Sequence, residues 1–151
     1  VLRCLPILVF AFFVPAPYGL MLPESPGTFL LFLFTLFAGT GVTTAFCMLV
    51  YMVSFFTISP AGIRMVAVSV VEFFAGAVIP IPFFPNGGRR VFELLPFASM
   101  QNVPLRIYSG DLTGRAMLDA AALQLFWLAA LVLLGRLLNA LAMKKVTVQG
   151  G

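Results

Sequence analysis

Thirty-nine consecutive residues, Ser25 to Ile63, carry no charged side chain. As one helix the run would reach about 58 Å at 1.5 Å per residue, nearly twice the ~30 Å hydrocarbon core of a bilayer. A chain of 151 residues with 62% hydrophobic and 9% charged side chains cannot wrap such a run inside a water-facing shell. The sequence therefore predicts an all-α integral membrane protein, and the long run must bend. The break falls at Thr57-Ile58-Ser59-Pro60, where Ser59 can cap a new helix that has Pro60 at its first position. A span of about Thr28 to Phe56 precedes it.

Charges set the other boundaries. Twenty uncharged residues separate Arg3 from Glu24, enough for one crossing, although Pro15 and Pro17 end regular helix before Tyr18. A third span runs from Ala61 to about Ile79 and carries Arg64 and Glu72. A fourth, about Met117 to Met143, holds sixteen uncharged residues between Asp119 and Arg136 and closes on Lys144-Lys145. Four crossings are expected. If the C-terminus is cytoplasmic, Arg3, Arg64, Arg136, Lys144 and Lys145 lie inside and Arg89, Arg90, Arg106 and Arg115 outside. The outer set is interleaved with Glu93 and Asp111. No segment repeats, and 146–151 is expected to be a flexible tail on a single membrane domain.

Several chemistries find no residues to carry them. The sequence has no histidine, no phosphate-binding GxxxxGK[ST] loop, no HExxH and no GxSxG, and its basic residues form no stripe suited to nucleic acid. Asp111 and Asp119 lie at or outside the edge of the last span, not paired within the membrane as an aspartyl protease requires. Cys4 and Cys47 sit in apolar runs without CxxC spacing and are expected to be small buried hydrophobes, not a disulfide or metal pair. Glu72 is the sharpest single residue, because an ionisable group near the bilayer centre costs ~2.5–3.5 kcal/mol and faces protein or water. It serves either as a gate, substrate contact or proton site, or as a structural hydrogen bond to a neighbouring span. Gly39, Gly41 and Ala45, and the trio Ala75-Gly76-Ala77, permit close helix approach, within the chain or across a dimer seam. The run Phe29 to Phe37 is a lipid-facing or packing surface.

The stretch GAVIPIPFFPNGGRRVFELLPF, Gly76 to Phe97, breaks a span and then resumes without the length to cross back. Pro80, Pro82 and Pro85 end the third span. Asn86 can cap a short helix whose Val91, Phe92, Leu94 and Leu95 oppose Arg89, Arg90 and Glu93, and Pro96 stops it. Phe97 to Val103 forms a second piece broken by Pro104, and Leu105 to Tyr108 a third, ending at Ser109-Gly110-Asp111. These pieces are expected to lie in or dip into the outer leaflet as a re-entrant, amphipathic hairpin before the last span.

Taken together, Gly76, the Pro80, Phe84, Pro85 turn, the Leu95-Pro96-Phe97 triplet and the Pro104 to Gly110 spacing resemble the permease subunits of bacterial ABC-2 type exporters. FCMLVYMVSFFTISPAGI is similar to that family's fourth span and the turn after it. The resemblance implies a six-span permease, here a C-terminal portion lacking the first two spans and a coupling helix, in the bacterial inner membrane. It implies two partners, a second permease subunit and a separate ATP-binding subunit that would hold the ATP, so that this chain needs no cofactor and is no enzyme. Glu72 becomes a candidate for translocation or gating, and Pro80, Pro82, Pro85, Arg89, Arg90, Pro96, Phe97, Pro104 and Gly110 for the re-entrant hairpin. The rival expectation is a non-transporting membrane assembly or scaffold protein.

Overall fold

Serine followed by proline opens two of the helices. The computed structural model describes residues 13–14, 23, 25–54, 57 and 59–145, and the expected first crossing and the tail at 146–151 therefore lie outside the described residues, or nearly so. Ser25 Oγ accepts a hydrogen bond from the Thr28 N–H at 3.1 Å, and Pro26 begins α1, Pro26–Ser54. Ser59 likewise accepts from the Gly62 N–H at 3.4 Å ahead of Pro60 and α2, Pro60–Phe74, as its sequence predicts. In both, the hydroxyl satisfies an orphan donor of the first turn and proline occupies a position whose N–H has no partner. A single 3-10 turn at Ile81–Phe83 leads to α3, Asn86–Leu94; α4, Ala98–Tyr108, and α5, Arg115–Lys145, complete an all-helical chain among the described residues.

Two of these helices, α1 and α5 over Arg115–Leu141, are long and apolar enough to cross a membrane. Most of their Phe and Leu side chains point outward, a pattern suited to lipid. Phe29, Phe34 and Phe37 are among those exposed. Hydroxyls inside α1 do not disturb this: Thr35, Thr40, Thr43, Thr44 and Ser54 each bond a carbonyl three or four residues back.

Contacts order the bundle. Thr35 meets Gln124, Gly41 faces Leu128 and Gly135 faces Leu49, so α1 and α5 run parallel. Along α1 in the opposite sense, Phe46 packs on Phe97, Gly39 on Met100 and Phe32 on Tyr108, so α4 is antiparallel to α1. The short α4 thus wedges between the two long helices. At their junction the Gln124 side-chain N–H₂ donates to the Thr35 carbonyl at 2.9 Å and the Ser99 carbonyl at 2.6 Å, with all three residues fully buried. Gly39 lies against the Met100 carbonyl so closely that a Cβ would overlap the oxygen.

That contact explains one departure from the sequence reading. Pro104 does not divide two short helices; it sits inside the continuous α4. Its missing N–H leaves the Met100 carbonyl, four residues earlier, without its helical donor, and the bare Cα of Gly39 approaches that oxygen. Three further differences concern the hairpin. Helix α2 stops at Phe74, about 22 Å of helix where the sequence suggested a span to Ile79. Gly76 at φ +81° turns the chain there, with Ile81 packed beneath it. Pro85, not Asn86, occupies the cap position of α3. Val91 and Leu94, on the apolar face that the sequence opposes to Arg89, Arg90 and Glu93, are 59% and 60% exposed. The buried side is aromatic instead: Phe92 stacks on Phe84 at 4.4 Å between centroids and touches Phe73 and Phe74, and Phe74 reaches Phe97.

An ion cluster ties α3 to α4. Glu93 Oε1 accepts from Arg89 Nε at 2.9 Å and Arg106 Nη1 at 2.7 Å, and Arg106 Nε donates to Asp111. Burial alone would raise the Glu93 carboxyl, but hydrogen bonds from Arg89 and Arg106 outweigh it and hold the group below its ordinary 4.5. A lowered folded-state value means that the cluster's contribution is present above the unfolded value and is lost as pH falls through the folded one. Trp127 Nε1 donates to the Leu94 carbonyl at 2.9 Å and fastens the end of α3 to α5.

Two outcomes follow. Gly39→Ala should lower the melting temperature in detergent by several degrees, because backbone must move, a cost of about 1–3 kcal/mol. Gly41→Ala, whose Cβ would meet only the flexible Leu128 Cδ1 at 3.1 Å, should cost clearly less. Equal losses would show that the Gly39–Met100 approach does not hold the bundle. Separately, proteolysis at the α3–α4 link should accelerate as pH falls below about 4.5, the ordinary value of Glu93. In Glu93→Gln the same acid-dependent step should be absent.

Candidate functional site

The feature of α2 that matters most is a cleft along its inner flank. Thr43, Cys47 and Tyr51 of α1, Arg64, Val68 and Glu72 of α2, and Met100 and Gln101 of α4 line a volume of about 540 Å³. Its walls form because α2 is antiparallel to the second half of α1 and stops short, leaving α4 to close the upper end. Arg64 and Glu72 lie eight residues apart on α2, about 12 Å along its axis, and make no ion pair with each other. The cleft therefore presents a cation near one end, a carboxylate near the other, and hydroxyl and amide groups of Thr43, Tyr51 and Gln101 between apolar walls. Polar and charged groups set between apolar walls suit the binding of a solute.

The hairpin residues occupy defined positions. Pro80 caps the 3-10 turn that contains Pro82, and Pro85 caps α3. Arg89 is drawn into the Glu93 cluster, whereas Arg90 makes no ion pair among the described residues. Pro96 and Phe97 form the corner before α4, and Phe97 joins the aromatic cluster. Gly110, at φ +75°, ends the turn after α4 in a conformation that side chains disfavour. Glu72 and these residues are not one site: Glu72 faces the α1–α2 cleft, and the arginines face the opposite side of α4 toward α5.

Sequence reading passed over Gln124, Ser99 and the Arg106–Glu93–Asp111 cluster. Gln124 carried a signal, being the one side-chain amide among the sixteen uncharged residues that open the last span. Its Oε1 and the Ser99 hydroxyl are buried without a partner. The amide's two donors fix its orientation, since a flipped group would set oxygen against two carbonyls.

Comparison with known proteins agrees with this architecture. Residues 2–150 match the family model described as ABC-2 family transporter protein. No curated protein and no solved structure matches the chain significantly. With a match over nearly its whole length, two lipid-suited helices and a polar cleft beside them, the chain belongs to the ABC-2 family of membrane transporter proteins.

Proposed function

We propose that the chain is the membrane-spanning permease of an ATP-driven ABC-2 type exporter, acting with a separate ATP-binding subunit that holds the ATP and with a second permease subunit. The observation that carries this reading is the family match over residues 2–150. On this reading the whole chain is one permease domain with four crossings, in the inner membrane of a bacterium. The chain has no phosphate-binding loop of its own, in keeping with a division of labour between permease and ATPase.

The parallel course of α1 and α5 supports the proposed topology, because it requires the segment between them to return the chain to the side where α1 starts. Helix α2 covers about 22 Å of that return. Helix α3 and α4 then form a re-entrant hairpin in the outer leaflet. Two features favour that depth: α4 packs along Phe32 to Phe46 of α1, and the backbone of α3 is fastened to Trp127 of α5. Both chain ends and the Ser59–Arg64 turn then face the cytoplasm, and Phe84 to Arg115 face outward.

Glu72 is the proposed polar contact on the translocation path. It lies at the meeting of α2 with α4, where a change in the angle of α2 would widen or close the cleft. Its carboxylate, opposite the Arg64 guanidinium, would favour solutes that carry both a cationic and an anionic or polar end.

Glu72→Gln in the assembled transporter should reduce export about tenfold while leaving membrane insertion and melting temperature unchanged, since glutamine keeps the size but not the charge. Unchanged export would confine Glu72 to a structural part. Topology is checked independently in a background without Cys4 and Cys47. A cysteine at Ser59 should react with an impermeant thiol reagent only after the cells are opened, and one at Thr113 in intact cells. Labelling of the Ser59 position from outside would overturn the four-crossing arrangement.

A further inference from the structure

On the face of α4 turned away from the Glu72 cleft, a groove of about 660 Å³ opens between α3, α4 and α5. Its floor is apolar, built from Ala98, Val103, Ala120 and Leu123. Its rim is charged. Arg89 and Arg106 reach it but are already engaged with Glu93 and Asp111, two cations against two anions, so that cluster is electrically closed. Two charged side chains remain in the lining, Arg90 from α3 and Asp119 from α5, and neither makes an ion pair among the described residues. Among the described residues the groove therefore offers one free cation, from α3, and one free anion, from α5, beside apolar side chains.

Its level in the bundle is also defined. Asp119 is the last charged residue before the sixteen uncharged residues of α5, and Leu123 is one turn further along the helix. The rim thus stands where headgroups begin and the floor where acyl chains do. We infer that this groove binds one phospholipid with a zwitterionic, amine-bearing headgroup of the phosphatidylethanolamine kind. Arg90 bonds the phosphate, Asp119 the primary ammonium, and an acyl chain lies along Val103 and Leu123. A purely anionic lipid would satisfy Arg90 but set its charge near Asp119. A choline headgroup would bring a cation that cannot donate a hydrogen bond to the carboxylate.

The test needs neither transport nor ATP, so its failure and that of the exporter reading are distinguishable. The full chain, purified in detergent, is titrated with phosphatidylethanolamine, phosphatidylglycerol or phosphatidylcholine, and bound lipid is counted by native mass spectrometry. The parent chain should retain phosphatidylethanolamine most tightly. Arg90→Gln should weaken phosphatidylethanolamine and phosphatidylglycerol alike, about fivefold, because both present a phosphate. Asp119→Asn should weaken only phosphatidylethanolamine by a similar factor and erase its advantage over phosphatidylglycerol, and Asp119→Glu should restore that advantage. Arg115→Gln, outside the groove lining, should change nothing. Both target side chains are exposed, so the fold should survive, and melting curves on each variant verify it. Preference of the parent chain for phosphatidylglycerol, or an Asp119→Asn variant that keeps the original ranking, would overturn the assignment.

Discussion

One primary amide holds three helices in register. Gln124 sends its two donors to backbone carbonyls of two different helices from a third, in a place no water reaches. In a bilayer the usual driving force between helices is weak, because lipid tails are as apolar as leucine; packing and polar contacts must supply the specificity. The amide does so by accepting only one rotation of α5 and one height of α4. Gly39 completes the junction from the α1 side, letting backbone meet backbone where any side chain would separate the helices. The wedge position of α4, the cleft on one of its faces and the groove on the other all follow from that junction. With α4 displaced, α2 has nothing closing its cleft and the groove beside α5 loses one wall.

The hairpin is held by different forces at its two ends. Near the end of α2, rings do the work: Phe73, Phe74, Phe84 and Phe92 meet in edge-to-face, tilted and stacked pairs, and Phe97 links them to Phe46 of α1. Where α3 meets α4, charges do it, with Glu93 shared by two arginines. Ring contacts tolerate sliding because their energy changes slowly with displacement, whereas a shared carboxylate has one good geometry. A tilt of α2 can therefore pass into the hairpin through the rings without disturbing the ionic link between α3 and α4.

Sequence alone revealed what depends on local rules. The Ser59-Pro60 start, the short helix between Pro85 and Pro96 and the long last helix all follow from capping, missing N–H groups and the distribution of charge, and each has its counterpart in the chain, whereas the helix expected to reach Ile79 ends at Phe74. What escaped it depended on partners distant in sequence. Pro104 looked like a terminator because its neighbours alone cannot say where the freed Met100 carbonyl will go; Gly39 supplies the answer. Leu94 and Val91 belong to the apolar side of their helix yet stay exposed, because hydrophobic pattern gives a helix two sides but not the neighbour's position, and the aromatic residues took the packed side. Glu72 stood out in the sequence as an acid within an apolar run, but its placement with Arg64, Tyr51 and Gln101 in one cleft depends on three helices coming together. The groove beyond α4 was invisible for the same reason.

The positions of the Gln124 bonds along the chain bear on how the protein is made. Both carbonyls that the amide seeks, on Thr35 and Ser99, are synthesised before it. During vectorial synthesis α1 and α4 can meet first, through Gly39 and the Met100 carbonyl, with no part of the last helix yet inserted. Helix α5 then enters lipid carrying an amide whose most favourable lodging is a slot already formed. A polar group that lipid cannot satisfy thereby docks its own helix, and assembly can run from the N-terminal part of the chain toward its last span.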